Sequence, residues 1–559
     1  MSRFPTRQFA KPTGRRTRRD PVLETSEAAA RLDDSVVTAA AAGEWGELQR
    51  LWREHLRYSG FASHPAAATA YANLPEEARR RYPILTWAHT LASAQQVPRE
   101  ERLVLVARTF LRDAVSLHAD WQRIADTDAA VLAGTMWMCS QQAKPVDGSG
   151  LEEAWRTRNA LAGLVETRRQ HGHPPADDTA ALFHAKSAQL ALMRADVETA
   201  IAEADRAIMF NAGTAPTVAA GLRDLALELH GTPSATPPAE LAGTALSAPP
   251  DLLGHVATPL LLAQAARAIR VLDQEDAGRA FASLPDTPGE PCWPVRLGLE
   301  ALAGALWKGP EEALAQLNSD IGRNSVLSME QHYPLGRVHL IRARSVLLCK
   351  LNSPSDALEL AESLARPWSW VPATRAHLWA GDLDTAIETA RSGLFVDPVT
   401  WNSDRVALSV LKAAAMASSQ TRDASEKTAA FARAITACTR VDSIVSFGLL
   451  PDFALRALID YHDETGCEDC ILCHPVTRAR LAELAGAGEG LGLIRLTARE
   501  VELLPLLATA APVPDIAQRL HLSVGTVRKQ VATLRGKFDA HSRQELIRRA
   551  RASGHLKAG

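Results

Sequence analysis

The feature that most constrains this fold is helical apolar spacing, which extends over most of the chain. Residues 25–480 are rich in Ala and Leu, and almost none of this stretch alternates β-branched residues with polar ones as a strand would. A run of 18 or more apolar residues does not occur, so we predict no membrane span. At 559 residues the chain is too long for one hydrophobic core. The sequence therefore predicts an all-α protein with several domains.

Internal repetition gives this helical body a more specific form. Segment 195–208 aligns without gaps on segment 381–394, and weaker copies occur near 42–45 and 352–358. Each copy has a small residue, an acidic turn and then a helix with paired alanines. The second copy resembles half of a tetratricopeptide repeat, although the copies do not recur every 34 residues. We predict a degenerate tetratricopeptide-like solenoid with a concave surface for a small-molecule or protein effector. The alternative is an irregular helical bundle.

The last 64 residues differ from the body in charge. From Leu496 onward the chain has 11 Lys and Arg against 5 Asp and Glu, whereas the preceding residues have 51 against 59. A net charge of +6 is therefore concealed within a whole-chain charge of −2. A basic module attached to an acidic body is typical of a domain that binds a polyanion such as nucleic acid.

Residue order in this segment predicts four short helices. Thr497 with Glu500 and Ser542 with Glu545 form capping boxes, and Ser523 is a good N-cap. Two central helices joined by a tight turn form a helix-turn-helix, whose second helix can enter a major groove. That second helix is expected to face inward with Val527, Val531, Leu534 and Phe538.

Three motifs make this interpretation more specific. They are L-T-x-R-E-x-E-x-L from Leu496, I-A-x-x-L-x-L-S-x-x-T-V-R from Ile516, and the pairs Lys537-Phe538 and Ser542-Arg543. Together they resemble the LuxR-type (GerE-like) DNA-binding domain, although Ala510, Pro505 and Gln530 depart from the usual pattern. The resemblance implies double-stranded DNA as the partner. The predicted DNA-binding residues are Ser523, Thr526, Arg528, Lys529, Gln530 and Arg535.

The resemblance also implies a homodimer on DNA, paired through Leu546, Ile547 and Ala550 of the fourth helix. A helical body that leads into such a domain is similar to the large maltose-regulator-like LuxR proteins. Their ATPase motif, G-x-x-x-x-G-K-[ST], is absent here, as are H-E-x-x-H and G-x-S-x-G. We therefore expect a cytoplasmic transcriptional regulator that is not an enzyme. The alternative is a protein-interaction scaffold with a vestigial DNA-binding domain.

The predicted domain boundaries follow from composition. Residues 1–24 are expected to form a disordered basic arm and residues 25–480 the helical-repeat body. Residues 481–494, with glycines at Gly486 and Gly492, are expected to form a flexible linker, and residues 495–559 the DNA-binding domain.

A cysteine-rich segment lies near the end of the body. Cys467, Cys470, Cys473 and His474 fall within eight residues, and His462 lies nearby. Thiolates and imidazoles are the ligands that Zn²⁺ and iron–sulfur centres prefer. The predicted metal ligands are the three cysteines with His474, or with His462 in its place. An idle loop and a thiol redox switch remain as alternatives, and no other cofactor is expected.

Overall fold

The all-α prediction is confirmed. A computed structural model of the protein contains no β-strand in its described part, and none of the described helices is long and apolar enough to cross a membrane. The chain divides into two compact units, Met1–Asp113 and Ala114–Gly559. The structure describes residues 21–58, 65–95, 112–142, 149–210, 215–233, 250–284, 292–324, 333–396, 401–465, 470–486, 498–509, 511–520, 522–538, 540–552 and 556.

The described helices of the first unit enclose a pair of buried aromatic rings. Trp52 and Tyr71 contact each other edge to face, with ring centroids 5.0 Å apart. The first helix begins at Pro21, a residue favoured in the first turn, so the predicted basic arm is at least four residues too long. Residues 1–20 of that arm lie outside the described residues. The helices are α1 (Pro21–Ala42), α2 (Trp45–Tyr58), α3 (Pro65–Ala72), α4 (Glu76–Arg81) and α5 (Ile84–Gln95).

The helices of the second unit that belong to the body follow one another as hairpins. In chain order they are α6 (Thr127–Gln142), α7 (Ser149–Gln170), α8 (Asp177–Met193), α9 (Val197–Phe210), α10 (Ala215–His230), α11 (Pro250–Arg270), α12 (Gln274–Ala282), α13 (Trp293–Trp307), α14 (Pro310–Asn324), α15 (Pro334–Lys350), α16 (Pro354–Glu362), α17 (Trp370–Trp379), α18 (Leu383–Arg391), α19 (Asn402–Ser418), α20 (Ala424–Val441), α21 (Val445–Gly448), α22 (Asp452–Thr465) and α23 (Pro475–Gly486).

The two aligned segments of the sequence form the same hairpin turn. Ala195 and Gly381 both have a left-handed backbone, with φ of 63° and 76°. In each turn the next residue is an aspartate whose Oδ1 accepts a hydrogen bond from a threonine N–H three residues later, at 3.1 Å for Asp196 and 3.2 Å for Asp382. The left-handed residue ends one helix and the aspartate caps the next, which fixes a sharp reversal.

The left-handed residue of this turn recurs at the weaker copies. Gly43 and Asn352 are also left-handed, with φ of 70° and 60°, and so is Leu272, whose neighbour Asp273 caps α12. The paired alanines that follow the two strong turns are buried, as close helix packing requires. The two aligned segments thus share a hairpin turn, whereas a tetratricopeptide-like repeat and its assembly into a solenoid stay predictions. These alanines are Ala200, Ala204, Ala386 and Ala390.

The C-terminal four helices have a hydrophobic core of their own. They are α24 (Ala498–Ala508), α25 (Val513–Arg519), α26 (Val524–Lys537) and α27 (Arg543–Ala552). Leu504, Leu507, Ile516, Val527 and Leu534 are all fully enclosed in it. Phe538 is buried and Val531 packs against the same cluster, so the predicted inward face of α26 is confirmed.

The segment between body and terminal domain begins later than predicted. Helix α23 continues to Gly486, and Leu481 is buried in the core of the body, so residues 481–486 are helical rather than linker. Burial of the Leu481 side chain contributes roughly 2 kcal/mol, which favours continuation of the helix past residue 480. Residues 487–494 of the predicted linker lie outside the described residues.

Candidate nucleic-acid interface

Helix α26 begins at the predicted N-cap. Ser523 Oγ accepts a hydrogen bond from Thr526 N–H at 3.1 Å, and the two hydroxyl oxygens lie 2.8 Å apart. Both residues are exposed. The predicted pair of polar contacts therefore lies at the amino-terminal end of the helix, where the helix dipole favours an anion such as a phosphate.

The outward face of α26 has mostly small side chains and carries two cationic residues. At about 100° per residue, Lys529 is placed opposite the buried stripe. Its neighbours on that face, Gly525, Ala532 and Gly536, are exposed and small, and a Cβ added at Gly536 would meet no other atom within 4 Å. Arg528 is exposed at one flank. Neither cation forms an ion pair with any residue of the described part of the chain.

The remaining two predicted DNA-binding residues point toward the domain itself. Gln530 is half-buried, and its Oε1 is enclosed without a hydrogen-bond partner in the described structure. Arg535 donates hydrogen bonds to the carbonyl of Ala540, at 3.3 Å, and to the carbonyl of His541. The structure therefore groups Ser523, Thr526, Arg528 and Lys529 on the exposed surface and separates Gln530 and Arg535 from them.

Two further arginines hold the domain together, and the sequence reasoning had assigned them no role. Arg543 donates from Nε and Nη2 to the carbonyl of Leu507, at 3.1 and 2.8 Å, near the end of α24. Arg549 donates to the carbonyl of Phe538 at 3.1 Å. Basic side chains commonly satisfy the last carbonyls of a helix, and this preference was the available signal.

The second capping box is confirmed with a small difference. Glu545 N–H donates to Ser542 Oγ at 3.0 Å, as predicted, but the glutamate carboxylate accepts from the N–H of His541 at 2.8 Å. The hydrogen bond from His541 holds the pKa of Glu545 below its usual range, and the nearby Arg549 acts in the same direction. An ionised carboxylate at the start of α27 stabilises the helix dipole.

The predicted dimer contact on α27 stays a prediction, and the structure encloses two of its three residues. Leu546 and Ala550 are fully buried in the core of their own domain, and Ile547 packs against that core. Four short helices supply little apolar surface, so the inward face of the last helix is needed to complete the hydrophobic core of the domain. Leu546 and Ala550 are not available to pair two domains, whereas Ile547 is only half-buried.

The cysteine-rich segment forms a compact cluster at the end of the body. His462, Cys470 and Cys473 place Nε2 and two Sγ atoms together, with Cys470 Sγ 3.3 Å and Cys473 Sγ 3.4 Å from the imidazole. The two sulfurs lie 3.4 Å apart. His474 is exposed and does not belong to the cluster, so of the two predicted histidines the structure selects His462. Cys467 lies outside the described residues.

Comparison with known proteins agrees with the geometry of the terminal domain. Residues 495–550 match the family described as "GerE: Bacterial regulatory proteins, luxR family". The response regulator RamR of Streptomyces coelicolor is 46% identical over 59 residues, which cover 11% of this chain and 29% of that relative. The chain thus carries a LuxR-family helix-turn-helix domain at its C-terminus, as the motifs predicted. Both matches leave the helical body uncovered.

Proposed function

We propose that this protein is a cytoplasmic transcriptional regulator that binds promoter DNA through α26 under the control of its helical body. The observation that carries the proposal is the division of α26 into a buried apolar face and an exposed face with Lys529 and Arg528. A LuxR-family domain at residues 495–550 supports the same function.

The shape of α26 suits a major groove. The groove is about 12 Å wide, and a helix with its side chains is about 10–12 Å across, so a face of glycine and alanine permits the closest approach. Lys529 then lies at the centre of the helix face that enters the groove, and Arg528 lies at the edge of that face. We propose that these two contact base edges or adjacent phosphates, whereas Ser523 and Thr526 contact backbone phosphates and fix the register.

Gln530 and Arg535 have a different place in this proposal. Arg535 already donates to two carbonyls, and Gln530 is half-buried, so any contact with DNA would require both side chains to move. We propose that Arg535 acts on DNA binding mainly by fixing the segment after α26.

The helical body supplies the regulatory part of the proposal. Its hairpins expose a long surface on which a small molecule or a protein effector could bind and alter the affinity for DNA. We also propose that two copies bind inverted half-sites about one helical turn apart. Because Leu546 and Ala550 are buried, Ile547 is the one predicted dimer residue that could take part in this contact.

The test begins with selection of bound sequences from randomised duplex DNA by the full chain. Affinity for the selected site is then measured for Arg528→Ala, Lys529→Ala and Arg548→Ala at fixed salt. If Arg528 binds a base edge, Arg528→Ala should weaken binding by about 1–3 kcal/mol and relax one base position. If Lys529 binds a phosphate, Lys529→Ala should reduce the slope of log affinity against log salt by about 1.

Arg548→Ala is the matched control, because Arg548 is an exposed arginine on α27 with only a 3.9 Å ion pair to Glu545. Unchanged affinity in both α26 variants would contradict the assignment of this face. Recovery of no preferred sequence would support the alternative, a protein-interaction scaffold with a vestigial DNA-binding domain. A single asymmetric half-site with one protomer bound would contradict the dimer.

A further inference from the structure

The cluster of His462, Cys470 and Cys473 has the dimensions of a metal site. Its three donor atoms form a nearly equilateral triangle with sides of 3.3, 3.4 and 3.4 Å. Tetrahedral zinc with Zn–S bonds of about 2.3 Å and Zn–N bonds of about 2.0 Å separates its ligand atoms by about 3.5–3.8 Å. The triangle therefore needs to open by only a few tenths of an ångström to hold a zinc ion.

We propose that His462 Nε2 and the Sγ atoms of Cys470 and Cys473 bind one Zn²⁺ ion. The ligands come from two separate elements, since His462 lies on α22 and the cysteines lie in the turn before α23. A zinc ion there would clamp the last two helices of the body. The proposal does not depend on DNA binding.

The histidine is held in the orientation that a ligand requires. His462 is buried, and its other ring nitrogen, Nδ1, lies 2.8 Å from the carboxylate of Asp463. A carboxylate near the far nitrogen helps to orient the ring, and this pairing is common around zinc ligands. The Nε2 atom is thereby left to face the two sulfurs.

Arg478 of α23 holds the same arrangement from the other side. Its guanidinium donates to Asp463 and, through Nε, to the carbonyl of Leu472 at 2.7 Å, and it also lies 2.8 Å from His462 Nδ1. The arginine thus joins the histidine helix to the cysteine turn. Its positive charge is offset by Asp463, which lessens its repulsion of a cation held by the three donor atoms.

The donor set favours zinc over the other interpretations of this segment. An iron–sulfur cluster is usually held by four cysteines, and an imidazole at equal distance from both sulfurs has no role in a simple disulfide pair. Zinc accepts mixed sulfur and nitrogen ligands in tetrahedral geometry. On binding, the thiols of Cys470 and Cys473 each release one proton, and both thiolates coordinate the same ion.

The first experiment is elemental analysis of the full chain, purified without chelator and without added metal. We expect about one Zn²⁺ per chain, and a loss of most of that zinc in Cys473→Ser and in His462→Ala. His474→Ala is the matched control, because His474 is an exposed imidazole directly after Cys473, and it should retain the metal.

A second measurement keeps the test informative if a ligand variant fails to fold. The wild-type chain is stripped of metal and titrated with Co²⁺, which gives thiolate charge-transfer absorption only when cysteines coordinate it. Asp463→Asn leaves all three ligands in place and should weaken zinc affinity by about 10–100-fold without abolishing the Co²⁺ spectrum.

Two outcomes would overturn the proposal. One is a chain that contains far less than one zinc and gains none when Zn²⁺ is added. The other is loss of zinc in His474→Ala with retention in His462→Ala, which would transfer the site to the ligand set that excludes the buried imidazole. Metal content is measured without DNA, so failure here is distinguishable from failure of the proposed function.

Discussion

Several arginines of the helical body pair with buried carboxylates of other helices, whereas three arginines of the C-terminal domain donate to backbone carbonyls. Glu203, on α9, is buried and receives Arg158 at 2.6 Å and His184 at 2.7 Å. Asp404 is also buried and binds both Nη atoms of Arg342 at 2.7 Å. In the body, opposite charges therefore join helices that are distant in sequence.

The terminal domain has few acidic residues that could form such ion pairs. Arg535 and Arg543 donate to carbonyl oxygens instead. Arg549 donates to a carbonyl oxygen and also pairs with Glu545 at 2.9 Å. Arg528 and Lys529 form no ion pair with the described residues. A carboxylate within reach therefore pairs with an arginine of the body, whereas Arg528 and Lys529 carry exposed charge without such a partner.

Removal of a buried carboxylate should have the largest effect. Glu203→Gln leaves Arg158 and Arg206 without their counter-ion, and we expect the free energy of unfolding to fall by about 3 kcal/mol, since breaking one side of a buried pair is costly. Urea unfolding of the full chain measures this. Glu198→Gln, on an exposed position of the same helix, is the control and should cost less than about 1 kcal/mol. If Glu203→Gln destabilises the chain no more than Glu198→Gln does, the ion pairs of Glu203 do not hold these helices together.

The pH dependence of the body should follow its buried imidazole. His339 has its Nε2 enclosed without a partner in the described structure, and burial, with a smaller contribution from Arg342, lowers its pKa from 6.5 to about 3. Because the folded pKa of His339 is lower than the unfolded one, protonation of His339 favours the unfolded chain. The free energy of unfolding is therefore unaffected by His339 well above pH 6.5 and falls as the pH is lowered. Between pH 6.5 and 5 the loss should be about 2 kcal/mol. His339→Gln, compared with the wild type by urea unfolding at several pH values, should flatten this slope, and an unchanged slope would exclude His339 as its source.

Arginines that bind carbonyls should matter less than buried ion pairs but more than exposed cations. Arg543→Ala removes two hydrogen bonds to Leu507 and should destabilise the terminal domain by about 1.5 kcal/mol. Arg548→Ala should change stability by less than about 0.5 kcal/mol. The protection of the amides of α24 and α27 against hydrogen exchange, measured in both variants, distinguishes the two effects. Equal protection in both would show that the carbonyl contacts contribute nothing measurable.

The smallest effect concerns the cap of α26. Ser523→Ala removes the acceptor for Thr526 N–H and should lower stability by about 1 kcal/mol. Ser523→Asp restores an acceptor and should recover that stability, yet it should weaken DNA binding because it places a negative charge beside the phosphates. If Ser523→Asp binds DNA as tightly as the wild type, the start of α26 does not face the backbone.

Local rules determined much of this protein from the sequence. The turns at Ala195 and Gly381, the cap at Ser523 and the inward face of α26 depend on residues within one or two helical turns of each other, so their spacing predicts them. The motifs of residues 495–550 identified the domain for the same reason, since its helices are short and contiguous. The excess of cations there was also visible, because charge can be counted without knowing the fold.

Only the tertiary structure decided which side chains meet over longer distances. His462 rather than His474 joins the cysteines because α22 folds back on α23 through Arg478, although His474 is adjacent in sequence. Arg535 turns to Ala540, and Leu546 is enclosed, because the core of the small domain closes on α27. A helical pattern shows that a face is apolar, but not whether that face is used by its own domain or left for a partner. Packing makes that choice, and packing depends on residues from several helices at once.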